Sequence, residues 1–340
     1  MNNKLNFEPR WFVVIVFFIV GIFLGALMLY IWIFNKGGML GLQKIHPTKS
    51  LYQFVNPLLA VDSSEKKEFL ENQVLKATLN NIFSKKEKNY GVTQSAAYFK
   101  DLEAGRWVGI NDSLKFSPGF FLKVPIMIAY FKNAENDFDF LKTQAKYTKY
   151  KSSEKNNVNS NIEYGKSYSV EELIKEMIIN DDDDAANTLF ENMDKKALND
   201  IYSDLGIDSV EENFTYDFIS TKMYGLLFRI LYNATFLNRE MSERVLEILS
   251  QTSMDEGIAR RLPNDIAVAH KYRVRNTGLK DSAQIESHDC GIVYYPDHPY
   301  VLCLMATGNN ADIIDDFFNE VSMAIYNDMN NRYQIRKGGA

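Results

Sequence analysis

The order of patterns along the chain predicts an α+β domain whose sheet is assembled from both ends of the polypeptide. Three observations predict it. An amphipathic helix and a hairpin pattern come early, ending near Ile110. A block of helical periodicities follows between Val170 and Leu249. Strand patterns then return after Pro263 and lead into a closing helix. Strands at the two ends must share one sheet, with the middle helices as a lobe beside it. The domain is expected over residues 51–330, with the lobe at about 135–250 and a polar tail over 331–340.

Bulk composition narrows the class. Of 340 residues, 46% are hydrophobic and 24% charged, a globular balance. Net charge is −6 and no long basic run occurs, which argues against nucleic acid as a partner. Cys290 and Cys303 lie in apolar, strand-like segments and read as two buried thiols. No Cys/His cluster has zinc-ligand spacing, so neither a metal nor another cofactor is expected.

Residues 1–10 form a short polar tail, and residues 11–34 then run 24 positions without a charge. As a helix this is about 36 Å, enough to span a bilayer with some tilt. Trp11, Tyr30 and Trp32 suit the interfacial belts. No small-x-small cleavage site follows, so an uncleaved single-pass anchor in membrane lipid is expected rather than a signal peptide. Gly21 and Gly25 form a GxxxG pattern, through which a weak homodimer is an expectation. Residues 35–50, with Gly37, Gly38, Gly41 and Pro47, read as a linker.

A first strand is expected within residues 51–61, and a helix from a cap at Ser63 or Ser64 through Phe83. Residues 94–102 and 107–110 read as a hairpin around Glu103-Ala104-Gly105-Arg106. Pro118 breaks the chain before an apolar helix carrying Lys123. The stretch 138–167 is polar and ill-defined. Ser169 caps a helix with apolar residues at Val170, Leu173, Ile174, Met177 and Ile178. Asp181, Asp182, Asp183 and Asp184 then open another helix at Ala185. Acids there are favoured by the helix dipole, and a metal site would need further oxygen ligands. Ile219 to Leu231 and Met241 to Leu249 mark two more helices. Strands are expected at 266–272, 289–295 and 300–307, before a closing helix from Ile313. The chain beyond Asn330 reads as a mobile tail.

Residues Phe116 to Pro125 resemble the first motif of the class A β-lactamase and penicillin-binding-protein-like serine hydrolases, Ser-x-x-Lys opening an apolar helix. Three residues apart, the serine and lysine of that motif share a helix face, so the lysine can take the serine's proton. Here Lys123 is present but Phe120 stands three before it. The segment from Tyr168 to Asn187 is similar to the family's Ser-Asp-Asn region, with Asp181-Asp182-Asp183 at the triplet. Val268-Ala269-His270-Lys271 and His288 to Tyr294 resemble the Lys-Thr-Gly strand and its neighbour, with Lys271-Tyr272-Arg273 at the motif. Asn276-Thr277-Gly278 is a second alignment for that motif, and Glu211-Glu212-Asn213 lacks the spacing of the deacylation element.

The resemblance implies a three-layer fold with an antiparallel sheet, and a domain outside the cytoplasm on the cell membrane. It also implies an oxyanion hole from the backbone N–H groups of Phe120 and Val274. The departures imply lost chemistry. A phenyl ring cannot attack a carbonyl, so no acyl intermediate forms by this route. Asp181 adds a negative charge where a hydroxyl relays protons, and Arg273 in place of Gly is expected to crowd the strand edge. The expected function is therefore binding of a cell-wall peptide or an envelope protein. Two alternatives stand beside it: a working D,D-peptidase or β-lactamase with a displaced nucleophile, and a structural scaffold of an envelope complex. An ion cluster of Lys123, Lys271, Asp181 and Asp183, plugged by Phe120, is the expected state of the cleft.

Overall fold

A computed structural model describes residues 21, 53–56, 72–117, 122–150, 161–204, 219–276 and 284–333. Gly21 apart, all of these fall in the unit Leu51–Ala340, and the fold below is that unit's.

Helix α1 (Asn72–Asn89) precedes the hairpin β1 (Val92–Asp101) and β2 (Trp107–Ile110). The lobe contains α2 (Lys123–Asn133), the small pair β3 (Gln144–Lys146) and β4 (Ser167–Ser169), and α3 (Val170–Ile179). It continues through α4 (Asp183–Asn192), α5 (Lys195–Asp204), α6 (Thr221–Tyr232) and α7 (Arg239–Leu249). Strands β5 (Val268–Asn276), β6 (Ile285–Val293) and β7 (Tyr300–Gly308) then lead to α8 (Ala311–Tyr333). The five long strands form one sheet in the order β2-β1-β7-β6-β5, antiparallel throughout. The two chain ends meet where β1 pairs with β7 along its length.

Alternation sorts the sheet's side chains into two cores. Val301, Cys303 and Met305 of β7 face the lobe with Ala96, Tyr98 and Ile292. Leu302, Leu304 and Ala306 face α1 and α8, meeting Leu75, Leu79, Phe317 and Val321. Every residue of β7 is buried, as a central strand covered on both faces requires. The result is three layers: two helices, the sheet, and the helical lobe.

Local chemistry sets the helix starts. Ser169 caps α3 in a reciprocal box with Glu172. Asp182 caps α4 by accepting from the Ala185 amide at 2.8 Å. Ser220 and Asn238 do the same for α6 and α7.

Several expectations are corrected. Residues 53–56 form bends rather than a strand; the amides of Phe54 and Val55 donate to Glu243 instead. Helix α1 runs on to Asn89, because 84–89 is rich in lysine and Lys86 is buried against Glu320 at 3.1 Å. The polar stretch after Phe138 contains β3 and β4, and Lys195–Asp204 forms a helix that the periodicity did not reveal. Strand β5 runs from Val268 to Asn276 and β6 begins at Ile285. The closing helix includes 330–333, tied down by the Tyr333 hydroxyl, which donates to Asp101 at 2.6 Å. Cys290 and Cys303 are a disulfide and not free thiols. Register explains it: the two are direct partners on β6 and β7, with Cα atoms 4.0 Å apart.

Among the described residues no helix is long and apolar enough to cross a membrane. The expected span, 11–34, lies outside them except for Gly21, as do Gly25, the linker, Ser63, Ser64, Phe120, Glu211-Glu212-Asn213 and Thr277-Gly278.

Candidate active site

Helix α2 is buried from Val124 to Phe131, which fixes it in the lobe's core and holds Lys123 at its N-terminal end. The Lys123 side chain is only 3% exposed. Its Nζ donates to the Asp181 carbonyl at 2.8 Å and to Asp181 Oδ1 at 2.9 Å. Asp183 Oδ1 lies 2.7 Å away.

The edge strand β5 supplies the other cations. Lys271 and Arg273 are two apart and so share a face of the strand. Lys271 Nζ donates to the Ile178 carbonyl and bridges to Asp181 Oδ1, both at 2.8 Å. The Arg273 guanidinium pairs with Asp181 Oδ2 and donates to Asp183 Oδ2 at 2.8 Å. Arg273, expected to crowd the strand edge, thus turns into the cluster. Asp181 can meet all three cations because it takes a left-handed backbone, with φ 57°, between α3 and α4. Aspartate tolerates that region better than most residues.

Charge and burial act against each other here. Burial pulls the pKa of Lys123 well below the lysine range, the Lys271 ammonium adds to this, and Asp183 opposes it. Burial lowers Lys271 to about 8, against the pull of Asp183. Burial, with Arg275 beside it, brings Arg273 down to about 10. The three cations face two carboxylates, so the cluster carries one net positive charge when all are ionised.

The acidic run does not converge. Asp182 leaves the cleft: it caps α4 and accepts from the Tyr147 hydroxyl at 2.7 Å. Asp184 accepts from the Tyr150 amide at 2.9 Å and the Tyr164 hydroxyl at 2.7 Å. These bonds favour helix start and ion pairing over a metal site for the four acids.

Other expected positions fall elsewhere. Tyr272 lies on the opposite face of β5 from its neighbours and packs in the core under α1 and α8. Val274 pairs with Ser287 on β6. Phe120, its partner in the expected oxyanion hole, is outside the described residues. Ser117 precedes α2 and accepts from Arg275 at 3.3 Å. Lys123 and both Asp181 and Asp183 come together as the sequence suggested, and Lys271 joins through Asp181.

One feature behind the cluster escaped the sequence reading. His270, fully buried, has Nδ1 at 3.0 Å from Asp289 Oδ1 and Nε2 at 3.0 Å from the Ser253 carbonyl. Both nitrogens face acceptors, which is the environment of an imidazolium. Alternation along β5 was the available signal, since it places His270 on the opposite face from Lys271.

A family model described as "Beta-lactamase enzyme family" matches residues 74–329. Among solved structures, a representative of class A β-lactamase from Bacteroides cellulosilyticus DSM 14838 is similar at 17% identity and TM-score 0.65, covering 75% of this chain and 98% of that one. PBP-A is similar at 18% identity and TM-score 0.63, with 76% and 97% covered. TLA-3 extended-spectrum β-lactamase matches at 16% identity and TM-score 0.63, with 74% and 98% covered. No curated protein matches the chain by sequence.

Proposed function

Because the chain belongs to the β-lactamase enzyme family, we propose that it is a member that binds its ligand without turning it over. The observation that carries this is the state of Lys123. Its amine is held between Asp181 and Asp183, and a phenylalanine stands three residues before it in the sequence. A lysine in that state has no hydroxyl at that position from which to take a proton. Ser117 is a poor substitute, because its partner Arg275 is a donor and cannot act as a base.

The ligand we propose is a cell-wall peptide, with an envelope protein as the other candidate. With all its groups ionised the cluster is net positive, which favours a terminal carboxylate. We further propose that residues 11–34 anchor the chain in the membrane, with domain 51–330 on the extracytoplasmic side and helices pairing through Gly21 and Gly25. The Cys290–Cys303 disulfide supports that side, since such bonds persist in oxidising compartments.

Calorimetry of the full-length chain with a peptide ending in D-Ala-D-Ala, alongside an assay for released alanine, tests the reading. Saturable binding that weakens when the carboxylate is amidated, without alanine release, is expected. Release of alanine at enzymatic rates would overturn it.

A further inference from the structure

Asp181 stands apart from its neighbours in the acidic run. Asp182 caps α4, and Asp184 accepts from the Tyr150 amide and the Tyr164 hydroxyl, so both of those carboxylates serve the local fold. Among the described residues the Asp181 carboxylate meets only cations: Lys123 at 2.9 Å, Lys271 at 2.8 Å and the Arg273 guanidinium. It is also the outermost group of the cluster. Its side chain is 33% exposed, against 17% for Asp183, 15% for Arg273, 8% for Lys271 and 3% for Lys123. Its backbone is held separately, because its carbonyl accepts from Lys123 Nζ at 2.8 Å and from Arg273 at 3.4 Å.

We propose, resting on the carboxylate-binding role given above, that Asp181 is a built-in competitor: its carboxylate occupies the place of the ligand's carboxylate and turns out into solvent when the ligand binds. Exposure and tether both suit the exchange. A turn about χ1 of Asp181 takes the carboxylate off the cations and toward the solvent it already touches. Meanwhile its carbonyl and the Asp183 carboxylate keep Lys123 in place. The left-handed backbone of Asp181 lies between α3 and α4, so neither helix has to change. Charge then selects the ligand. With Asp181 turned out, Asp183 is the one carboxylate left in the cluster, and a single incoming carboxylate restores the balance. The planar fork of Arg273 suits that group, whereas a neutral amide brings no charge. The competitor weakens binding through population: a site open about one-tenth of the time binds about tenfold more weakly than the same site left open.

Calorimetry of the full-length chain and its Asp181→Asn variant, with acetate, acetamide and a peptide ending in D-Ala-D-Ala, tests the exchange. The variant should bind both carboxylates at least about tenfold more tightly than the parent, with no gain for acetamide. Asp183→Asn makes the same change of charge at a more buried carboxylate, so it should tighten binding less. An equal gain in the two variants would reduce the effect to general electrostatics and overturn the proposal. If Asp181→Asn unfolds on its own, thermal melts carry the same test: acetate, and not acetamide at matched ionic strength, should restore its folding. Neither a gain in affinity nor rescue by acetate would also overturn it. The two readings fail separately. A peptide that binds parent and variant equally ends the role of Asp181 and leaves the ligand standing. A gain for acetate without peptide binding keeps the exchange and ends the peptide as ligand.

Discussion

Lys123 is the residue on which the cleft turns. It is buried among charges that compensate one another, so removing it leaves Asp181 and Asp183 short of a partner. Lys123→Ala should lower stability by roughly 3–5 kcal/mol, the range for breaking a buried pair. Urea unfolding of the two proteins measures this, and equal midpoints would count against the cluster as a stabilising unit. Phe120→Ser restores a hydroxyl but leaves Asp181 paired to both lysines and to Arg273. That single variant should show little hydrolysis of a chromogenic β-lactam, and robust turnover would mean the other substitutions matter less than argued.

His270 belongs to the same scale. Burial alone would lower its pKa, but Asp289 and the Ser253 carbonyl outweigh that and hold it above 6.5. A group whose folded pKa is raised stabilises fully below its unfolded pKa, and the contribution fades as pH climbs through the folded value. Thermal unfolding should therefore show a loss of stability above about pH 6.5 that His270→Gln removes. A variant with the same pH slope as the parent would refute this. The two lysines and the acids were legible from motif spacing. The inward turn of Arg273 was not, because it depends on the left-handed backbone of Asp181, which an Asp-rich string does not announce.

Among the elements, those with a long period were the most legible. Helices α3, α6 and α7 show clear apolar stripes, and the capping serine of α3 was readable at Ser169. Strands β3 and β4, of three residues each, are too short for alternation to register. Helix α5 lies in a stretch where lysines and aspartates interrupt the stripe. The cysteines are the instructive case: each strand was expected, but only the β6–β7 register places Cys290 against Cys303. In the native protein, unfolded without reductant, neither cysteine should react with iodoacetamide, and both should react after reduction. Alkylation of both before reduction would contradict the pairing. Losing the bond should reduce stability by about 2–4 kcal/mol.

For the whole molecule, the return of strands after the helical block sufficed to place both chain ends in one sheet, because an apolar strand face must be covered. Alternation along the strands then assigns the buried residues to the sheet's two faces, one under each helical layer. Sequence could not show how tightly the cleft is occupied, since that is a matter of where long charged side chains point. At identities of 16–18%, the similarity to solved β-lactamases and PBP-A fixes the fold, and the chemistry rests on this chain's own residues. The central claim is that no acyl-enzyme forms at this cleft. Intact mass spectrometry of the full-length protein after exposure to ampicillin tests it most directly. An unchanged mass is the predicted result, and a stoichiometric gain mapped to a side chain of the cleft would contradict the account.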